Sequence, residues 1–121
     1  MTTGPEYRLH CAVVDHLSAV LKPPTWFTSI EHGVKLPPAT ARRLNRIQVK
    51  AGIPDILIVH DGRCHWIELK AGRNGLQGAQ IVVGAALGLA GCHPRVCRSI
   101  DDVGASLRLW GIPTREAKKV A

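Results

Sequence analysis

Two apolar, β-branched segments separated by Asp61-Gly62 constrain the fold of this chain more than any other feature. The first segment runs from Ile56 to His60 and the second from Arg63 to Leu69. An Asp-Gly pair between such segments is the strongest short-range signal for a β-hairpin with a two-residue turn. Because neither segment alternates cleanly between apolar and polar residues, we expect both faces of this part of the sheet to be covered.

The predicted hairpin determines which residues oppose each other on its two strands. With Asp61 and Gly62 as the loop, Asp55 is the cross-strand neighbour of Glu68, and directly opposed Cβ atoms lie roughly 5 Å apart. Lys70 is two residues beyond Glu68, so its side chain leaves the strand on the same face. The sequence therefore predicts that two carboxylates and one amine converge at the open end of the hairpin.

Two opposed carboxylates are destabilising unless something neutralises them. In an apolar setting, one of the two pKa values rises. A divalent cation removes the conflict, since Mg²⁺ takes one or two carboxylates and fills its other positions with water and phosphate oxygens. Such an ion activates a phosphodiester for hydrolysis, and Lys70 would orient the attacking water or neutralise charge in the transition state. In the alternative, purely structural interpretation, Asp55 caps a turn and Glu68 forms a salt bridge with Lys70.

Charge and length favour a single domain that binds a polyanion. The 121 residues include 16 Lys+Arg and 9 Asp+Glu, for a formal net charge of +7. We expect one domain over residues 1–121, because two hydrophobic cores would not fit comfortably. A positive surface potential attracts nucleic acid or an anionic membrane without specifying the fold.

The cysteines and the apolar segments predict the compartment. Four cysteines at positions 11, 64, 92 and 97 show no framework spacing, and a zinc site at Cys92-His93 with Cys97 lacks its second pair of ligands. The longest apolar stretch, Ile81 to Gly91, is too short and too glycine-rich to span a bilayer. We expect no secretory signal at the N-terminus. We expect a protein of the reducing cytoplasm that does not enter a membrane.

The segments before the hairpin are predicted to form two helices and a strand. Apolar residues at helical spacing predict a helix from Pro5 to Leu21, and Trp26 to Ile30 is β-prone. A second helix is expected from Ala39 to Val49, with Leu44 and Ile47 on its buried side. The same helix has a basic stripe at i, i+4, i+8 spacing, formed by Arg42, Arg46 and Lys50, with Arg43 beside it.

The segments after the hairpin complete a mixed sheet flanked by helices, an α/β architecture. The basic loop from Ala71 to Gly75 is followed by a helix from Gln77 to Ala90, in which Gly84 and Gly88 are expected to pack closely on the sheet. A short strand from Arg95 to Arg98 and a last helix capped by Asp101-Asp102 end the fold. The predicted DNA contacts are Arg42, Arg43, Arg46, Lys50 and Arg73; a solvated helix face is the alternative for the stripe.

Three short motifs of this chain resemble those of a nuclease superfamily. Gly52-Ile-Pro-Asp55 is followed by Ile67-Glu-Leu-Lys70, and then by Asn74-Gly-Leu-Gln-Gly-Ala-Gln80. The pattern resembles the PD-(D/E)xK superfamily, and within it the VRR-NUC (virus-type replication-repair nuclease) family. The resemblance implies a restriction-endonuclease-like αβββαβ core, dependence on Mg²⁺ or Mn²⁺, and phosphodiester hydrolysis at branched or flapped DNA. It also implies a phage or bacterial protein that is often a homodimer, with activity like that of Holliday-junction resolvases.

The resemblance assigns roles to individual residues. Asp55 and Glu68 would be metal ligands and Lys70 the catalytic lysine, with the Leu69 carbonyl as a further ligand. Gln80 would face the site and contact metal-bound water or phosphate. Glu6 matches the first acidic residue of the family and would be a further metal ligand.

Two positions depart from the pattern of the family. Glu31-His32-Gly33 replaces the usual Pro-Asn-Gly. This difference makes His32 a candidate for a position near the substrate. Gln77 stands where a serine is more usual, so the cap of the following helix is in question.

Three functions follow from these motifs. The first is a structure-selective endodeoxyribonuclease whose symmetric dimer would cut both strands of a four-way junction; Trp26, Phe27 and Trp110 are candidates for its dimer face. The second is a flap, restriction-like or general DNA nuclease with the same metal site. The third is a non-catalytic basic module that binds nucleic acid through phosphates.

Overall fold

The computed structural model describes residues 4–30 and 36–116. His32, the candidate for a position near the substrate, lies outside the described residues. Four helices and four strands follow one another in the order α1 (Pro5–Val20), β1 (Trp26–Ser29), α2 (Pro38–Arg46), β2 (Ile56–His60), β3 (Arg63–Leu69), α3 (Gly78–Leu89), β4 (Arg95–Cys97) and α4 (Ile100–Leu109).

The four strands form one mixed sheet in the order β1-β2-β3-β4. The β1–β2 and β2–β3 pairs are antiparallel, whereas β3 and β4 are parallel. A parallel pair needs a crossover connection, and α3 provides it. The prediction of a mixed sheet flanked by helices is confirmed.

The hairpin has the predicted turn and register. Cross-strand pairs run from His60 with Arg63 to Ile56 with Ile67. Asp61 and Gly62 have φ angles of 50° and 73°, as a type I′ turn requires of its two central residues. The ladder stops one position before Asp55 and Glu68, which follow in the same register.

The hydrophobic core lies on one face of the sheet. Val13 and Leu17 of α1 pack against Ile56 and Ile67 of the hairpin, and all four side chains are fully buried. Helix α4 adds further buried residues beside α1, namely Val103 and Leu107. The expectation that both faces are covered is wrong, because Leu57 and Val59 on the opposite face are only half-buried.

Helix α2 is shorter than predicted and packs less tightly. It ends at Arg46 instead of Val49, with Gln48 in the left-handed region at φ 68°. Lys50 therefore lies beyond the helix, where its Nζ donates to Gln48 Oε1 at 3.1 Å. The predicted buried side is also wrong, because Ile47 is 69% exposed and α2 has no buried residue.

The last two helices differ from prediction in detail. No residue of α3 is buried, and a Cβ at Gly84 would meet no atom within 4 Å, so the expected close packing of Gly84 on the sheet is wrong. Gly88 does lie close to a neighbour, but that neighbour is the His93 ring. Helix α4 is capped by the Ser99 hydroxyl, which accepts from Asp102 N at 3.1 Å, so Asp101-Asp102 form its first turn instead of its cap. Of the helices in the described ranges, none has the length and apolar character needed to cross a membrane.

Candidate functional site

The open end of the hairpin holds Asp55 in place from two sides. Its side chain accepts a hydrogen bond from the Leu69 backbone N–H at 2.7 Å. Its own carbonyl accepts from the Ile30 N–H at 2.8 Å, which ties the residue to the end of β1. Because both bonds come from the backbone, the sheet itself helps to hold this carboxylate in position.

Glu68 and Lys70 are buried at the same end of the sheet. Their relative exposures are 4% and 5%, values that charged residues reach only when they are paired or functional. Lys70 Nζ lies 4.0 Å from Glu68 Oε1, at the outer limit of an ion pair. Gln80, on the first turn of α3, donates from Nε2 to the same Glu68 oxygen at 2.8 Å. The structure thus brings Asp55, Glu68, Lys70 and Gln80 together.

The environment of Glu68 opposes its ionisation. Burial is the largest effect and the negative charge of Asp55 adds to it, while Lys70 acts in the opposite direction; together they raise the pKa of Glu68 to about 8. A carboxyl group whose pKa is raised by burial and a like charge is typical of functional sites. The positive charge of a bound cation would offset both effects.

Gln80 joins the site to the start of α3. Its Oε1 accepts a hydrogen bond from the Gln77 N–H at 2.8 Å while its Nε2 binds Glu68. One side chain therefore caps the helix and fixes the carboxyl group. The glutamine at position 77 does not prevent capping, since its backbone supplies the donor.

Asp55, Glu68 and Gln80 line an open cleft of about 1030 Å³. Strand ends contribute Ser29, Asp55 and Glu68, the loop after β3 contributes Arg73 and Asn74, and α1 contributes one of its faces. The residues of that face recur at helical spacing; those with polar side chains are Glu6, Tyr7, His10, Cys11 and Asp15.

Glu6 enters the cleft but does not join the two acids in a cluster. It lines the same cleft as Asp55 and Glu68, and its charge contributes to the raised pKa of Glu68. Within residues 4–30 and 36–116, however, no group of three or more His, Cys, Asp or Glu side chains is placed to hold a metal ion. Glu6 is thus near the site without completing a three-acid set.

The donor set suits a hard divalent cation that keeps much of its hydration. Mg²⁺ binds through one or two carboxylates, waters and substrate phosphates instead of an all-protein cage. Asp55 and Glu68 match that requirement, and Leu69 lines the cleft beside them. The residues present therefore fit Mg²⁺ or Mn²⁺.

The predicted DNA contacts are divided between two places. Arg73 lines the cleft, on a loop whose Gly72 carbonyl accepts a hydrogen bond from the Arg98 guanidinium at 2.9 Å. The residues of the predicted stripe are exposed but do not line the cleft; they are Arg42, Arg43, Arg46 and Lys50.

The candidates for a dimer face differ in exposure. Trp26 is 57% exposed. Phe27 packs against the core, and Trp110 is half-buried with its ring 4.8 Å from that of His65. Of these three residues, only Trp26 offers a large exposed aromatic surface.

Sequence reasoning did not single out His10 or Ser29. Both line the cleft, and His10 Nε2 lies 2.9 Å from Ser29 Oγ. The spacing of Glu6 and His10, one helical turn apart, is the signal that places them on one face of α1.

Comparison with known proteins identifies the fold. No family model matches the chain and no curated protein matches it. Among solved structures, a VRR_NUC domain protein is similar over 91% of this chain and 90% of its own, with a TM-score of 0.60 and 20% sequence identity.

The fold and the site define a restriction-endonuclease-like domain with paired acidic residues at the end of a hairpin. Similarity to the solved structure narrows the assignment of the fold: this chain has the fold of a VRR_NUC domain. The fold that the sequence resemblance implied is confirmed.

Proposed function

We propose that this protein is a metal-dependent endodeoxyribonuclease of the PD-(D/E)xK type. The observation that carries the proposal is that Asp55, Glu68 and Gln80 line one cleft, with buried Lys70 4.0 Å from Glu68 Oε1. The net charge of +7 suits a polyanionic substrate, and the likeness to a VRR_NUC domain protein agrees with this function.

Asp55 and Glu68 would hold the cation, with the Leu69 carbonyl as a further ligand. When bound, Mg²⁺ or Mn²⁺ supplies Lewis acidity toward the phosphodiester and lowers the pKa of a water molecule. Glu68 must lose its proton to act as a ligand. The backbone bonds to Asp55 and the Gln80 amide on Glu68 hold both carboxyl groups in position before substrate arrives.

Lys70 supplies the positive charge that the reaction needs. Its burial keeps the ammonium group away from competing water, so its interaction with developing negative charge is stronger than on the surface. It would orient the attacking water or stabilise the pentacovalent transition state. The bond from Gln80 to Glu68 holds the Gln80 side chain at the site, where it would contact metal-bound water or phosphate.

We propose branched DNA as the substrate and a homodimer as the active form, in the manner of a Holliday-junction resolvase. Two-fold symmetry of the protein would match the symmetry of a four-way junction, and exposed Trp26 is a candidate for the interface. A monomer would instead trim flaps or cut DNA without structural preference. A role in phage or bacterial replication and repair in the cytoplasm would fit either activity.

Cleavage of a panel of labelled DNAs tests the proposal. The panel contains a four-way junction, a flap, linear duplex and single strand, each with Mg²⁺, Mn²⁺ or EDTA, for wild type and Asp55→Ala. Paired symmetric cuts in the junction that need both metal and Asp55 are expected. Cutting of flaps alone, or of all substrates alike, would retain the nuclease and reject the resolvase.

The non-catalytic alternative predicts a different result. A module that binds phosphates alone needs no buried acid pair, so Glu68→Ala would leave its DNA affinity unchanged and no substrate would be cut. In a nuclease, wild type cuts DNA, whereas the same variant binds DNA without cutting it.

A further inference from the structure

The cleft contains a hydrogen-bonded pair that the proposed chemistry does not use. His10 Nε2 of α1 and Ser29 Oγ of β1 are 2.9 Å apart, and both residues line the cleft that holds Asp55 and Glu68. Ser29 lies next to Ile30, whose N–H binds the Asp55 carbonyl. The pair is therefore connected through one residue to the backbone of a proposed metal ligand.

The pair keeps one proton to donate in either arrangement of its hydrogen bond. If the Ser29 hydroxyl donates to Nε2, a neutral His10 ring has its N–H at Nδ1. If Nε2–H donates to Ser29 instead, the hydroxyl proton is free for another acceptor. A paired donor beside a carboxylate site is suited to a phosphate oxygen, because phosphates accept hydrogen bonds from neutral side chains as well as from cations.

We propose that His10 and Ser29 together bind a DNA phosphate adjacent to the scissile one. This inference rests on the proposed nuclease function and adds a substrate-positioning contact to it. The pair orients the strand in the cleft, whereas Asp55, Glu68 and Lys70 act on the bond that is cut.

Helix α1 supplies a matched control. His16 lies on the same helix and is half-buried like His10, but it does not line the cleft. Replacing His16 with alanine removes an imidazole from α1 without changing the cleft. A difference between His10→Ala and His16→Ala therefore reports on the cleft and not on the loss of a histidine from the helix.

Equilibrium binding of a fluorescent junction in EDTA is the primary measurement, because it does not depend on cleavage. We expect His10→Ala to weaken binding by at least about tenfold, the lower end of the cost of losing one hydrogen bond to a charged group. Ser29→Ala should weaken binding similarly, and the double variant should be little weaker than either single one because the two residues act as a unit. His16→Ala should bind like wild type.

Neutral methylphosphonate linkages identify the phosphate that is contacted. One linkage near the cut should weaken binding by wild type and by His16→Ala, but have little further effect on His10→Ala. Equal binding by His10→Ala and His16→Ala, or additive effects of His10→Ala and every linkage, would overturn the inference. Failure of wild type to cut any DNA would instead reject the proposed nuclease function. The binding measurements would still show whether His10 and Ser29 contact a DNA phosphate, because they do not depend on cleavage.

Discussion

Gly52 occupies a position where the backbone tolerates no side chain. Its φ is +83°, and a Cβ there would lie 2.8 Å from the Gln80 nitrogen and closer still to the Ala79 carbonyl group. These neighbours are backbone atoms of the first turn of α3, so they cannot rotate away as a flexible side chain would. Gly52→Ala must shift the turn that carries Gln80.

The expected cost of Gly52→Ala has two parts. A non-glycine residue in the left-handed region costs about 1–2 kcal/mol, and overpacking against a fixed backbone adds about 1–3 kcal/mol. We therefore expect Gly52→Ala to lower the free energy of unfolding by about 2–5 kcal/mol. Gly62→Ala is the control, since Gly62 has φ +73° but a Cβ there would meet nothing within 4 Å. It should cost only the strain of about 1–2 kcal/mol.

Urea unfolding of both variants, followed by circular dichroism, measures these two costs. Cleavage assays under conditions where each variant remains folded measure the effect on the site, because displaced Gln80 would hold Glu68 less firmly. Gly52→Ala should lose activity, whereas Gly62→Ala should retain it. If both variants lose the same stability and keep full activity, the proposed coupling between the Gly52 loop and Gln80 is wrong.

Three further predictions concern the site, the core and the DNA-binding surface. In EDTA, burial and the neighbouring Asp55 charge make the folded protein bind the Glu68 proton more tightly than the unfolded chain does. Its free energy of unfolding should therefore fall as the pH rises from 4.5 to about 8, and unfolding curves of Glu68→Gln should lack that component. Leu17→Ala should cost about 2–5 kcal/mol by the same measurement, since Leu17 is fully buried, and a loss below 1 kcal/mol would contradict its place in the core. An Arg42→Ala/Arg46→Ala double variant should reduce the slope of log affinity against log salt by about 2 on duplex DNA; an unchanged slope would make the stripe a solvated face.

The hairpin and the acid pair were predictable because their determinants are local. Asp61-Gly62 selects a two-residue turn, and the turn fixes the register that brings Asp55 toward Glu68. Lys70 follows from the two-residue period of a strand. No long-range information was needed for these three side chains.

The helices were predicted less well because their packing depends on distant parts of the chain. Gly84 and Gly88 indicated close packing of α3 on the sheet, but no residue of this helix is buried. Gln48 adopts a left-handed backbone conformation although it is not a glycine. The sequence therefore did not indicate that α2 ends at Arg46 instead of Val49. His10 and Ser29 were missed for a related reason: their contact depends on how α1 packs beside β1.

Cleavage by Glu68→Gln tests the central claim most directly. This substitution keeps the shape of the side chain and a hydrogen-bonding oxygen, but it removes the charge that would bind the cation. The measurement is single-turnover cleavage of a labelled junction in Mn²⁺, together with equilibrium binding of the same DNA. The account predicts that wild type cuts the DNA and that Glu68→Gln binds it with similar affinity without cutting. Equal cleavage by the two proteins would contradict the assignment of this acid pair as the active site.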